Sequence, residues 1–348
     1  MIKLKDMVEI TKVGPLLDEN GNIKTPGFAK KYYLQYDRNE IKAKKIRIKE
    51  WDYYYIGNQD FGLCLTISDS GFIGVISASF LDFKNPYQIN TSKASFFPLG
   101  KFNMPSNPEI GNVGREIAGA KFNITNDGKE RHLTAKFPKF GKNKEDLLVD
   151  IILYDPPEEY MFIATPFKKP KHFYYNAKIN CLKAKGYFSI GDVKYDVSDA
   201  LGTLDWGRGV WTYDNTWYWG SLQTYLEDGK TFGFNIGYGF GDTSAASENM
   251  LFYEGKSHKI EHVKFNIPGD DEGKPRYMDD WTFTSSDGRL ELDFKPIIDR
   301  NAAVSIGVIA MIPHQVFGLF SGKAILDDGT EIIIKDRLGF AEKVRNKW

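Results

Sequence analysis

The stretch Ser286-Asp287-Gly288-Arg289-Leu290-Glu291-Leu292-Asp293-Phe294 decides how the rest of this sequence is read. Asp-Gly tolerates positive φ and closes hairpins, and the run after it alternates apolar Leu290, Leu292 and Phe294 with charged Glu291 and Asp293. A period of two buries one face of a strand and wets the other. The turn signal recurs at Asn126-Asp127-Gly128-Lys129, Glu227-Asp228-Gly229-Lys230 and Asp327-Asp328-Gly329-Thr330, each between apolar runs. Two-residue hairpin turns with positive φ are expected at these places. No stretch combines 3.6-residue periodicity with caps at both ends, so helices are expected to be short and peripheral. An aromatic share of 15% suits pleated, half-buried surfaces. The sequence therefore predicts an all-β chain, a meander of antiparallel strands forming barrels or curled sheets.

A length of 348 residues exceeds what one core usually organises, so two packed units in tandem are expected. Pro166 and Pro170 bracket Lys168 and Lys169 in the segment Thr165–Lys171, which places the division between residues 1–168 and 169–348. Lys plus Arg and Asp plus Glu are equal at 46 each, so no global field recruits nucleic acid or an anionic bilayer. A basic run from Lys24 to Lys49 reads as a solvated strand face, with Ile46 and Ile48 alternating with Arg47 and Lys49, in preference to a lipid or RNA patch.

Cys64 and Cys181 sit in strand-like runs as small buried side chains, not as a disulfide framework. Met1–Glu9 lacks the apolar stretch of a secretory signal, which points to the cytoplasm. The apolar run Ala302–Pro313 is shorter than the roughly 20 residues that span a bilayer, so no stable membrane insertion is expected and the run reads as a buried strand. The sequence specifies no oligomeric state.

Gly202–Gly220 holds Trp206, Trp211, Trp217 and Trp219, four of the seven tryptophans, together with Asp205, Arg208, Tyr213 and Tyr218. These aromatics offer either a flat wall for a hydrophobic ligand or a core plug in which Arg208 stacks on an indole and pairs with Asp205. In Thr231–Gly241, Phe232, Phe234, Ile236, Tyr238 and Phe240 oppose Gly233, Asn235, Gly237, Gly239 and Gly241, so a ligand or the neighbouring unit must approach the bare face closely. No helix follows these glycines, which removes a dinucleotide reading. Asp205 and Glu248 are the candidate acids, since a carboxyl walled by aromatics is pushed towards its protonated form. Asn235, Asn249, His314 and Gln315 complete the candidate contacts, His314 either orienting a ligand or satisfying the backbone. His258 and His262 on a strand would stand roughly 13 Å apart, too far for one metal ion. Neither a metal nor a cofactor is implied, and no Gly-x-Ser-x-Gly elbow is present.

Several separated motifs in order carry a resemblance. Ala200–Trp211, Gly239–Asp242 with Glu248 and Asn249, His314–Gly322, the opening Pro15-Leu16-Leu17-Asp18, and the closing Leu338-Gly339-Phe340-Ala341-Glu342 with Trp348 resemble the family of domain of unknown function 2804. More distantly, the chain is similar to the lipocalin-like group of carotenoid 1,2-hydratases, tocopherol cyclases and fungal Diels-Alderases. That likeness implies two lipocalin-like β domains and a hydrophobic small-molecule partner such as an isoprenoid or lipid. It also suggests hydration, cyclisation or isomerisation, with Asp205 in the place of the hydratases' proposed proton donor. The hydratase motif Trp-x-Asp-x-x-Trp-Gly is shortened here, because Asp205 abuts Trp206-Gly207 directly. A noncatalytic lipid carrier is the alternative, and a carbohydrate-binding module using the same tryptophans comes third.

Overall fold

The computed structural model describes residues 2–301, 304–306 and 309–347. Among them, strands dominate and the helical content is three short 3-10 turns, Leu4–Asp6, Arg38–Glu40 and Lys45–Arg47. All four Asp-Gly signals are hairpin turns, although not of the two-residue kind. Gly128, Gly229, Gly288 and Gly329 alone take left-handed φ, between 71° and 94°. Each preceding aspartate keeps ordinary φ and accepts the amide two residues on, as in Lys129 N to Asp127 Oδ1 at 2.9 Å and Lys230 N to Asp228 Oδ1 at 3.1 Å. A short carboxylate side chain closes the turn, which relieves the backbone of a second left-handed residue.

The strands form two large antiparallel sheets. The first has 13 strands and curls into a nearly closed barrel, with Lys49–Gly57, Leu201–Val210 and Phe173–Ile190 adjacent in its middle. The second has 10 and forms a half-barrel, with Thr231–Tyr238, Asp214–Tyr225, Glu331–Lys347 and Ile309–Ile325 in its middle. The ladder does not divide at residues 168 and 169. Met161–Pro166 and Phe173–Ile190 pair across that turn within the first sheet, and the chain changes sheets between Val210 and Asp214. Prolines at a hairpin turn and prolines at a linker give the same sequence signal, because both stop a ladder.

Alternation sets which residues fill each lumen. Trp206 is fully buried in the first, edge-on to Tyr36 and Tyr175, and Arg208 lies 4.1 Å above its ring. Trp281, Phe283, Phe294 and Phe320 fill the second. In the first lumen, a void of about 10 Å³ beside Tyr54, Ile124 and Trp206 has room for about one water. Two packed lumens leave the seam between the sheets as the remaining place for a site. Its first wall is Trp51, Tyr53 and Tyr55, and its second is Trp217, Trp219, Phe317 and Phe340.

The bare glycine face also lies in this seam, and the first sheet covers it. A side chain at Gly233 would meet Cys181 Sγ at 2.8 Å, and one at Gly241 would meet Thr165 Cγ2 at 2.5 Å. Of the expected buried strand over Ala302–Pro313, residues 302, 303, 307 and 308 lie outside the described residues, as does Trp348. Met311 and Ile312 do lie in a strand, but are 37% and 41% exposed. Cys64 and Cys181 are free and buried.

Arg208 holds the first lumen together. Its guanidinium donates to Asp52 Oδ1 at 2.9 Å and to the carbonyls of Trp51, Gly207 and Pro105, and Glu50 lies 4.0 Å away. Arg208→Ala would strand Asp52 as an uncompensated buried carboxylate, while Glu50 would keep its pair with Arg38. Urea unfolding is expected to show a loss of about 3–5 kcal/mol; a loss below about 1 kcal/mol would contradict this role.

Candidate functional site

Two rows of side chains, one per sheet, meet across the seam. In the first sheet Lys178, Asp205 and Tyr53 are register neighbours on three adjacent strands. In the second, Gly237, Trp219, Glu342, Gln315 and Arg300 form the facing row. A polar stripe between two aromatic-rich faces results, with Asp205, Glu248 and Glu342 each only 7% exposed.

Asp205 is surrounded by donors. Lys178 Nζ lies 2.9 Å and Asn176 Nδ2 2.6 Å from its Oδ1, while Trp51 Nε1 donates to Oδ2 at 3.1 Å. Gly207 makes the last bond possible, because a Cβ there would stand 2.0 Å from the Trp51 indole. The Lys178 ammonium is also seated 3.7 Å above the Trp219 ring, so the cation of the pair rests on an electron-rich face. Trp219 Nε1 donates to Asn235 Oδ1 at 2.6 Å, and Asn235 Nδ2 to the Glu248 carbonyl at 2.9 Å.

Glu342 has a different setting. Trp217 Nε1 donates to its Oε1 at 2.9 Å and Gln315 Nε2 to its Oε2 at 3.1 Å. Among the described residues no cation forms an ion pair with it: Lys178 is committed to Asp205, and Arg300 Nη1 donates to Gln315 Oε1 at 2.5 Å. Burial therefore pushes the Glu342 carboxyl up to about 7, with the Trp217 hydrogen bond and the Lys178 charge opposing. Glu248 is raised too, chiefly by burial, with Lys178 lowering it and Asp205 raising it. Lys259 fixes the segment that carries Glu248: its buried Nζ donates to Ser247 O, Ser247 Oγ and Asn249 O at 2.6–2.9 Å. Burial brings that ammonium down to about 7.

Of the residues expected from sequence, the seam brings together Asp205, Glu248, Trp217, Trp219, Asn235 and Gln315. Trp211 joins the wall, 5.2 Å from Trp51 and 5.5 Å from Phe240. Asn249 lies just behind, accepting Gly237 N and donating to Glu261 O, both at 2.8 Å. Four expected contacts lie elsewhere. Trp206 and Arg208 point into the first lumen, so Arg208 pairs with Asp52 and not with Asp205. Tyr213 is 45% exposed. His314 stacks on Tyr277 at 3.9 Å and meets Asp299 at 2.7 Å, on the opposite strand face from Gln315. His258 contacts Asp327 while His262 packs on Tyr238. Sequence reasoning missed Lys178, Trp51, Asn176, Arg300, Lys259 and, as an acid, Glu342. Lone polar residues inside apolar strand runs, such as Lys178 in Ala177-Lys178-Ile179, are the signal that could have found them.

The family model described as domain of unknown function (DUF2804) matches residues 7–348, so the chain belongs to that family. No curated protein matches the sequence. A solved structure from Nitrosomonas europaea, provisionally assigned as AttH, is 12% identical and covers 89% of this chain and 96% of its own, with a TM-score of 0.51. It shares the fold. Looser likenesses are kievitone hydratase from Nectria haematococca, 10% identical over 96% and 98% of the two chains at a TM-score of 0.48, and CghA with Sch210972, 8% identical over 95% and 97% at 0.44.

The raised Glu342 carboxyl sets a pH dependence with a definite sign. Between the ordinary value of 4.5 and about 7 the folded chain retains a proton that the unfolded chain has released. The associated stability is present below the unfolded value and is lost as pH rises through about 7. Glu342→Gln removes the titration, so the variant should gain on the wild type by about 2–3 kcal/mol between pH 4.5 and 7.5. Urea unfolding at the two pH values measures the gain, and a pH-independent difference would contradict it.

Proposed function

We propose that this protein is an acid–base enzyme that hydrates, cyclises or isomerises a hydrophobic small molecule, isoprenoid-like or lipid-like, held against the tryptophan wall of the seam. One observation carries the reading: Glu342 is a buried carboxyl with two neutral N–H donors, no paired cation among the described residues and a titration brought to about 7. A group poised there supplies a proton to an alkene or carbonyl and takes one back at neutral pH. In this reading Glu342 takes the acid role. Asp205, whose oxygens accept from Lys178, Asn176 and Trp51, is the fixed charge that seats Lys178.

The wall suits the chemistry. Protonating an alkene develops positive charge on carbon, and the faces of Trp51, Trp211 and Trp217 supply ring quadrupoles to stabilise it. Seating by Asp205 keeps the Lys178 ammonium on the face of Trp219. These reactions are redox-neutral, so the residues of the seam suffice for the proton transfers.

Native mass spectrometry of freshly purified protein is expected to reveal a retained apolar molecule. Incubating that molecule with protein in deuterium oxide should place deuterium on its carbon skeleton. Glu342→Gln is expected to lower the exchange rate by about 10²–10⁴-fold while retaining the molecule. An unchanged rate in Glu342→Gln would remove Glu342 as the acid. Retention without any exchange by the wild type would instead support the noncatalytic carrier.

A further inference from the structure

Segments 42–47, 70–75 and 92–101 meet at one end of the first barrel. Phe97 N donates to Phe72 O at 2.8 Å and Leu99 N to Gly71 O at 3.1 Å. A side chain on Gly71 would come within 2.5 Å of the Ile46 carbonyl. Asp69, fully buried beneath, gathers this tip: its Oδ1 accepts Gly71 N at 3.0 Å, and its Oδ2 accepts Gly100 N at 2.8 Å and Phe102 N at 3.3 Å.

Two features of the tip coincide. The three segments carry Lys42, Lys44, Lys45, Arg47, Lys93 and Lys101 and no acidic residue, in a chain whose net charge is zero. The tip also displays Phe96 at 76% exposure, Phe97 at 60% and Ile46 at 39%. Phe97 and Leu99 both hold φ of 53°, a left-handed conformation that bulky residues adopt at an energetic cost. The basic run is not the strand face expected from its alternation, since Lys45–Arg47 is a 3-10 turn with Ile46 outside and Ile48 buried.

We propose that this tip docks the protein reversibly on an anionic bilayer surface. Phe96 and Phe97 enter the headgroup layer and the surrounding basic side chains meet lipid phosphates and carboxylates. Exposed aromatics ringed by lysine are the combination an interface selects, where apolar burial and counter-charge act together. Single-stranded RNA would instead need aromatics laid on a sheet as a stacking platform, whereas these stand at the end of a strand. Docking requires no insertion, and no helix among the described residues is long and apolar enough to cross a membrane.

A short chain of contacts joins the tip to the tryptophan wall. Lys49 Nζ lies 5.5 Å from the Phe72 ring and 5.0 Å from the Trp211 ring, and Arg47 Nη2 donates to Trp211 O at 2.9 Å. Trp211 in turn lies against Trp51, which holds Asp205. Docking would turn the Trp211 edge of the seam towards the phase in which an apolar substrate dissolves. That consequence rests on the proposed function, whereas docking itself does not.

Flotation of the full chain with phosphatidylcholine vesicles, with and without about 30% phosphatidylserine, tests the proposal. We expect flotation at least about tenfold greater with the serine lipid and abolished near 0.5 M salt. Phe96→Ser with Phe97→Ser, and separately Lys44→Glu with Lys45→Glu, should each lower it about tenfold without changing thermal unfolding. Should the aromatic pair of changes unsettle the fold, the exposed lysine pair alone decides. The proposal is overturned by no flotation with anionic vesicles, by equal flotation with neutral ones, by flotation indifferent to the variants, or by tighter binding of an RNA oligonucleotide through the same residues. No substrate or turnover enters the assay, so its failure is distinct from failure of the acid–base reading.

Discussion

The structure depends on burying charge between two sheets. Each sheet could have met the other through apolar residues alone, as Tyr55, Phe317 and Phe340 do further along the seam. The middle of the seam instead carries Lys178, Asp205, Glu248, Glu342, Gln315 and Arg300, nearly all out of contact with water. Desolvation is costly there unless every charge is met, and this arrangement meets them unevenly. Lys178 and Asp205 satisfy each other, and the amide of Gln315 is held between Arg300 and Glu342. Among the described residues Glu342 receives neutral donors only. A protein selected for seam stability alone would place an apolar side chain at that position, which is why the acid reads as functional.

The neighbouring residues that hold these groups follow from this constraint. Asn235 links the Trp219 indole to the backbone of Glu248, and Lys259 fastens the same segment from behind. Glycines at positions 233 and 241 let the two faces close on each other with a thiol and a threonine in the gaps, and Gly207 makes room for the Trp51 indole within the first face. The aromatic wall is therefore lined by polar groups, and is not the wall of an empty apolar hollow.

Much of the fold was legible because β structure announces itself locally. Asp-Gly turns and two-residue alternation gave the hairpins, and Gly233, Asn235 and Gly237 were correctly read as one bare face. Parity also held more than was drawn from it: Asp205 cannot share a face with Trp206 or Arg208, nor Gln315 with His314, because neighbouring residues on a strand point to opposite sides. What local sequence could not supply was register between sheets. Lys178 meets Trp219, and Trp217 meets Glu342, across strands far apart in the chain, and no alternation pattern predicts which rows will face each other. Pro166 and Pro170 mark a turn inside the first sheet, so the change of sheet had no proline signal at all.

Carbon-13 NMR titration of the glutamate carboxyl carbons reads protonation at the buried acid itself. In the folded protein a glutamate carboxyl is expected to titrate at about 7 and to be missing from the spectrum of Glu342→Gln. The contradicting result would be a folded protein in which the Glu342 carbon titrates at the ordinary value near 4.5.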